Sequence, residues 1–385
     1  MEFVGNVVPI KRGVATNYRN YHERIVQVAA TNEYTMASEV HYGDYLQLEK
    51  ILDAQFPESV RHNSPAHDET LFIIIHQAYE LWFKQMLHEL DSVLIIMQKP
   101  SINDNSPELQ TVVHRLSRMV TILKVLVHQI DIMETMTPID FLDFRDLLRP
   151  ASGFQSWQFK TIEAKLGLKF AHRHGQDYYT SQLRPQHIDV IKKVENEKSL
   201  IELLNGWLER TPFFEQPENW NNFKPSYKID SDLSALPVFW KEYRQIYINS
   251  LAEAEKSNQE YFNMIFEDSG ANAERQLSPK ACRAALFIML YRGYPIVQLP
   301  FQLLNNLLEI DEQLSTWRYR HMNMVHRMIG TRIGTGGSTG KDYLRAALDK
   351  HYIFKEIAQL TSFLIERKKL PQLSVEMEKR LGFVQ

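Results

Sequence analysis

Glycine is scarce in this chain. It has 15 in 385 residues, where average usage of about 7% would give roughly 27. That scarcity disfavours folds with many tight turns and leaves few residues for phosphate-cradling loops. Cysteine is nearly absent. The single Cys282 excludes an intramolecular disulfide and any cysteine-based zinc or iron–sulfur centre, and it reads as a reducing compartment. An excess of one charge is missing too. With 44 basic and 47 acidic residues the net charge is −3, so there is no electrostatic case for nucleic acid or an anionic membrane. The strongest apolar runs, 71–75 and 284–290, are far too short to span a bilayer. Residues 1–13 lack the basic-then-apolar order of a secretory leader. The expectation is a cytoplasmic protein with neither nucleic acid nor membrane as partner.

What the chain does have is helical periodicity. Residues 69–97 contain no proline or glycine and repeat apolar residues at Phe72, Ile75, Tyr79, Phe83, Met86 and Leu90. A second set, Leu71, Ile74, Ala78, Leu81 and Trp82, covers another face. A helix apolar on most faces is expected to be buried within a bundle. Further helices are predicted over 107–136, 187–209, 238–268, 278–293, 299–330 and 341–367. Ser278-Pro279 reads as a cap followed by proline in the first turn. Residues 1–40 are polar and read as an N-terminal arm. Residues 211–237 carry four prolines and read as a surface insertion. Period-two alternation is scarce. The expected fold is all-α, a large helical bundle-like single domain over 1–385 with a small helical insertion.

Several chemistries can be excluded on spacing. No histidine has a glutamate three residues before it, as a di-iron carboxylate bundle needs. His88-Glu89 is not followed by the second histidine of a zinc helix. Gly340-Lys341 looks like a phosphate loop, but Thr335 stands at the first glycine position and Asp342 follows the lysine. Even so, Gly334, Gly336, Gly337 and Gly340 fall within seven residues. Two readings stand for them: backbone brought close to a ligand, or a linker between helices.

His321 lies on the stripe Leu314, Trp317, Met324, Val325 and Met328. It is either a core histidine satisfied by a carbonyl or the axial ligand of a flat, apolar cofactor such as haem. His326, five residues on, cannot share a metal with it from a straight helix and reads as a surface residue or as one that supports a ligand-contacting residue from behind. His76 sits among Phe72, Tyr79 and Phe83 and needs a hydrogen-bond partner, from a ligand or a neighbouring helix. Arg145, between Phe144 and Leu148, either pairs with Asp143 or Asp146 or offers its planar fork to a ligand carboxylate.

Read together, four blocks strongly resemble the tryptophan 2,3-dioxygenase family: HYGDYLQLEKIL (41–52), ETLFIIIHQAYELWFKQMLHELDSV (69–93), DFLDFRDLLRPASGFQSWQFK (140–160) and WRYRHMNMVHRMIGTRIGTGGSTGKDYL (317–344). The match spans nearly the whole chain. It implies a homotetrameric enzyme holding haem b, with L-tryptophan and dioxygen as substrates and N-formylkynurenine as product, at the first step of the kynurenine pathway. By the same resemblance His321 is the axial haem ligand, and Ser152, Trp317 and Gly336 border the haem. His76 hydrogen-bonds the indole N–H, and Arg145 clamps the substrate carboxylate. Thr335 contacts the substrate ammonium and carboxylate, while Phe72, Phe141 and Leu148 line the pocket. Tyr42, Tyr45 and Leu46 match a segment given to a neighbouring subunit's site.

Overall fold

The computed structural model describes residues 39–173, 176–210, 220, 222–225, 236–267, 275–332, 334 and 351–382. The chain divides into two compact units, Met1–Phe56 and Pro57–Gln385. In the first, two short helices, α1 (Tyr42–Leu46) and α2 (Leu48–Leu52), meet at Gln47, whose backbone is left-handed. His41 caps α1 by accepting the Gly43 N–H on Nδ1 at 3.3 Å.

The second unit runs through α3 (Glu58–Arg61), α4 (Glu69–Met97), α5 (Pro107–Met133), α6 (Pro138–Arg145), α7 (Trp157–Leu166), α8 (Gln176–Ser181) and α9 (Pro185–Glu195). It continues through α10 (Leu200–Glu209), α11 (Val238–Ser250), α12 (Asn258–Phe266), α13 (Pro279–Leu290), α14 (Gln298–Ile329), α15 (Lys355–Gln359) and α16 (Val375–Gly382), joined in places by short 3-10 turns. No strand occurs among the described residues, so the all-α expectation holds. None of the described helices is long and apolar enough to cross a membrane.

Local chemistry places the helix starts. Ser106 caps α5 ahead of Pro107, and Ser278 caps α13 ahead of Pro279, each accepting the N–H three residues on at 3.2 Å. Proline costs nothing in a first turn, where its missing N–H has no helical partner anyway. α7 stops at Gly167, whose φ of +142° brings the backbone against Ile201; a Cβ there would stand 2.5 Å from the isoleucine Cγ2.

Helices α4, α5 and α14 form the centre. α14 is 32 residues long, about 48 Å at 1.5 Å per residue, and packs along α5. Leu116, Leu123, Leu303, Leu307 and Leu314 close that seam. Side chains pin it: Asn306 Nδ2 donates to the Val113 carbonyl at 3.0 Å, and Arg320 pairs with Asp131 at 2.7 Å. α7 crosses α4, where Lys165 meets Asp91 at 2.6 Å and Gln158 donates to Glu80 at 2.7 Å.

Four expectations change. The predicted helix 187–209 is two helices, broken by the Ser199–Glu202 capping box that starts α10. The predicted helix 238–268 folds back at Leu251, because Arg244 bonds Asn263 at 2.8 Å and draws α12 onto α11. In the predicted 341–367 helix, 351–354 is not helical and α15 starts only at Lys355. α4 is not buried all round: Ile74, Leu81 and Trp82 are exposed. The arm, except for residues 39 and 40, and most of 211–237 lie outside the described residues.

Candidate active site

One apolar cluster draws four helices together, α5 reaching it through Met133. α4 contributes Leu71, Phe72, Ile75 and Tyr79, α6 contributes Phe141 and Phe144, and α14 contributes Met324, Met328 and Ile329. Leu148, in the 3-10 turn after α6, joins them. α6 is only eight residues long, so its start matters. Thr137 and Asp140 form a reciprocal capping box, with Pro138 in the first turn, and this fixes Phe141 and Phe144 on one face. The Phe72 ring lies 5.7 Å from Phe141 and 5.6 Å from Phe144.

His76 stands one turn after Phe72, with the two rings 4.1 Å apart. Its Nδ1–H donates to the Phe72 carbonyl at 2.7 Å. That bond fixes the tautomer and leaves Nε2 as the ring's acceptor. Burial pushes the His76 pKa below its ordinary value, although the Phe72 bond pulls the other way. His76 is therefore neutral at physiological pH.

His321 is stacked on Trp317, with centroids 5.2 Å apart and planes 10° from parallel. Trp317 is held by Tyr79, edge-on at 6.0 Å, and by Phe159 at 5.1 Å. The Tyr79 hydroxyl donates to the Leu126 carbonyl at 2.9 Å, and burial raises its pKa to about 12. His321 Nδ1 is buried and has no hydrogen-bond partner among the described residues. Burial, and the proximity of His76, lower the His321 pKa to about 4. Two neutral imidazoles thus come together among aromatic and methionine side chains.

Arg145 ends α6 and is 4% exposed. Of the two acids beside it in sequence, Asp146 is the one it meets, at 4.0 Å and on an exposed side chain. Ser152 is half-buried in the loop before α7, and its Oγ accepts the Phe154 N–H at 3.3 Å. His326 is exposed, with its Nδ1–H directed at the Gly330 carbonyl at 3.4 Å, as a surface residue should be. In the first unit Tyr42 and Tyr45 are exposed and Leu46 half-buried. Thr335 and Gly336, with Gly337 and Gly340, lie outside the described residues.

The structure therefore brings Phe72, His76, Phe141 and Leu148 together, and places Trp317 and His321 beside them. Phe144, Tyr79 and Met328 belong to the same cluster without any motif of their own. The only signal for them is spacing: Phe144 follows Phe141 by three, Tyr79 follows His76 by three, and Met328 follows Met324 by four.

The donor set fits a haem. A histidine that ligates haem iron does so as a neutral imidazole, in surroundings that suit a flat, apolar ring. His321 is neutral and stacked on an indole.

The family model described as tryptophan 2,3-dioxygenase matches residues 27–364. Proteins named tryptophan 2,3-dioxygenase are similar to this chain over most of both lengths. The one from Bdellovibrio bacteriovorus is 45% identical over 360 residues, covering 89% of this chain and 98% of its own. The Dictyostelium discoideum protein is 43% identical over 356 residues, 89% and 88% of the two chains. The Rattus norvegicus protein is 41% identical over 351 residues, 88% and 86%.

Proposed function

The chain belongs to the tryptophan 2,3-dioxygenase family, and from that premise we propose that it oxidises L-tryptophan with dioxygen to N-formylkynurenine. Both oxygen atoms enter the product as the indole C2–C3 bond breaks, so no external reductant is consumed. The reaction opens tryptophan catabolism by the kynurenine pathway. The observation that carries this reading is His321, neutral and stacked on Trp317, set beside the neutral His76 and an aromatic cluster.

His321 would hold haem b through its imidazole, with Trp317, Ser152 and Gly336 bordering the ring. When bound, ferrous haem supplies dioxygen activation. Everything else falls to the chain's own side chains. His76 presents Nε2 as an acceptor for the indole N–H, because its other nitrogen is engaged by the Phe72 carbonyl. Its role is orientation rather than proton abstraction. The indole N–H is a very weak acid, and the lowered His76 pKa makes the imidazole a still weaker base. Phe72, Phe141 and Leu148 give the indole an apolar slot and exclude water. Arg145 offers a buried fork to the substrate carboxylate, and Thr335 takes the ammonium and carboxylate from the glycine-rich segment.

We further propose a single catalytic domain that works as a cytoplasmic homotetramer, in which Tyr42, Tyr45 and Leu46 complete a neighbouring subunit's site. Exposed apolar residues at helical spacing support an assembly: Ile74 and Leu81 on α4, Val125 and Ile132 on α5, Ile139 and Leu142 on α6. The test of the activity is direct. Purified protein is reduced anaerobically and then given tryptophan and oxygen. N-formylkynurenine is the expected product, and a haem-loaded protein that leaves tryptophan intact would refute the reading.

A further inference from the structure

Glu163 lies on α7, 4% exposed, with both carboxylate oxygens bonded. Oε2 accepts from Arg173 Nη1 and Oε1 from Arg318 Nη2, each at 2.6 Å. Arg318 also donates from Nη1 to the His351 carbonyl at 3.1 Å. Arg318 is on α14, three residues before His321. The residue before it, Trp317, carries the His321 stack and rests against Phe159 of the same α7. α7 therefore grips α14 at two consecutive positions just N-terminal to His321, once by an ion pair and once by ring packing. These two grips point about 100° apart around α14, so together they resist both rotation and sliding of the helix.

An axial histidine is usually aimed by a hydrogen bond to its second ring nitrogen. His321 Nδ1 has no such partner among the described residues. Its aim rests on the Trp317 stack and on the register of α14. We propose that Glu163 and Arg318 are positioning residues for His321, setting the rotation of α14 and with it the direction of the imidazole. This rests on the reading of His321 as the axial haem ligand.

The two arms of Glu163 provide the test. Arg318→Gln and Arg173→Gln each remove one cation from the same buried carboxylate and leave the other. Both should lower the melting temperature. Only Arg318→Gln should shift the iron–histidine vibrational band of the ferrous protein, and only it should speed haem loss to an apo-globin acceptor, by about tenfold, the scale of a lost outer-shell partner. Arg318→Lys, which keeps the charge, should restore part of the band. A wild-type band in Arg318→Gln, or an equal shift in Arg173→Gln, would overturn the proposal. Should Arg318→Gln not fold, Glu163→Gln decides in the same assay: a shifted band supports the role and an unshifted one overturns it. Wild-type protein that takes up no histidine-ligated haem is a separate failure, since it removes the haem reading itself.

Discussion

Two buried polar clusters lie within one turn of each other on α14, and they differ in charge. Around Glu163 the carboxylate has both oxygens engaged, and Arg318 uses two nitrogens on two partners. Around His321 a buried nitrogen has no partner among the described residues, and His76 is left with an acceptor facing an apolar cluster. Burial alone does not separate the two clusters. Charge does: the ion-paired one joins α7 to α14 as scaffold, and the neutral one is the site.

The largest break in this comparison comes from His321→Ala. It removes the neutral axial imidazole and should abolish axial haem ligation while the helical circular dichroism stays unchanged. A variant that kept the wild-type haem spectrum, with His326→Ala losing it, would move the ligand to the wrong histidine. Arg145→Ala comes next. A buried guanidinium facing a substrate carboxylate is worth several kcal/mol, so kcat/KM for tryptophan should fall by about 10²- to 10³-fold. Unchanged kinetics would sink the carboxylate-clamp role of Arg145. His76→Ala is milder. One neutral hydrogen bond contributes about 1 kcal/mol, so turnover should drop by roughly tenfold. Complete inactivity in a folded, haem-loaded variant would mean that His76 is an obligate base after all.

How far the sequence reveals each cluster follows from the same contrast. The site is built on helical stripes, so Phe72, His76 and His321 could be singled out from periodicity and from the family-specific blocks around them. The scaffold gives no such signal. Glu163 and Arg318 are 155 residues apart, and nothing near either one announces a partner. Periodicity also misjudged α4. It reports that Ile74 and Leu81 are apolar and in register, but not whether what covers them comes from the same chain; here they are 48% and 55% exposed. The breaks at Ser199 and Leu251 were hidden for a related reason. Neither has a glycine or proline at the break, and at Leu251 the chain is turned by the tertiary bond from Arg244 to Asn263.

The smallest effect should appear in the acid titration of the haem-free protein, where the two clusters separate by pH. Burial and His76 hold His321 at about 4 in the fold, against an ordinary 6.5. The unfolded chain takes up that proton first, so the stability tied to neutral His321 is complete above pH 6.5 and is lost as pH falls toward 4. For Glu163, burial pushes the pKa up, but Arg173 and Arg318 pull it down further, to about 2. Its contribution is complete above the ordinary carboxylate range and is lost progressively as pH falls from there through 2. Asp311 acts in the opposite sense. Burial raises it to about 6, against the N–H groups of Phe354 and Ile353 that it accepts. The fold therefore binds that proton before the unfolded chain does, and gains stability as pH falls from 6 toward 4. Melting temperatures of Asp311→Asn should fall more steeply than wild type across this interval, because the offsetting gain is gone. Glu163→Gln should be less stable at neutral pH but flatter below pH 4. His321→Ala should lose the decline between 6.5 and 4. If its curve there parallels wild type, the imidazole is not held neutral by the fold, and the contrast between a charged scaffold and a neutral site fails.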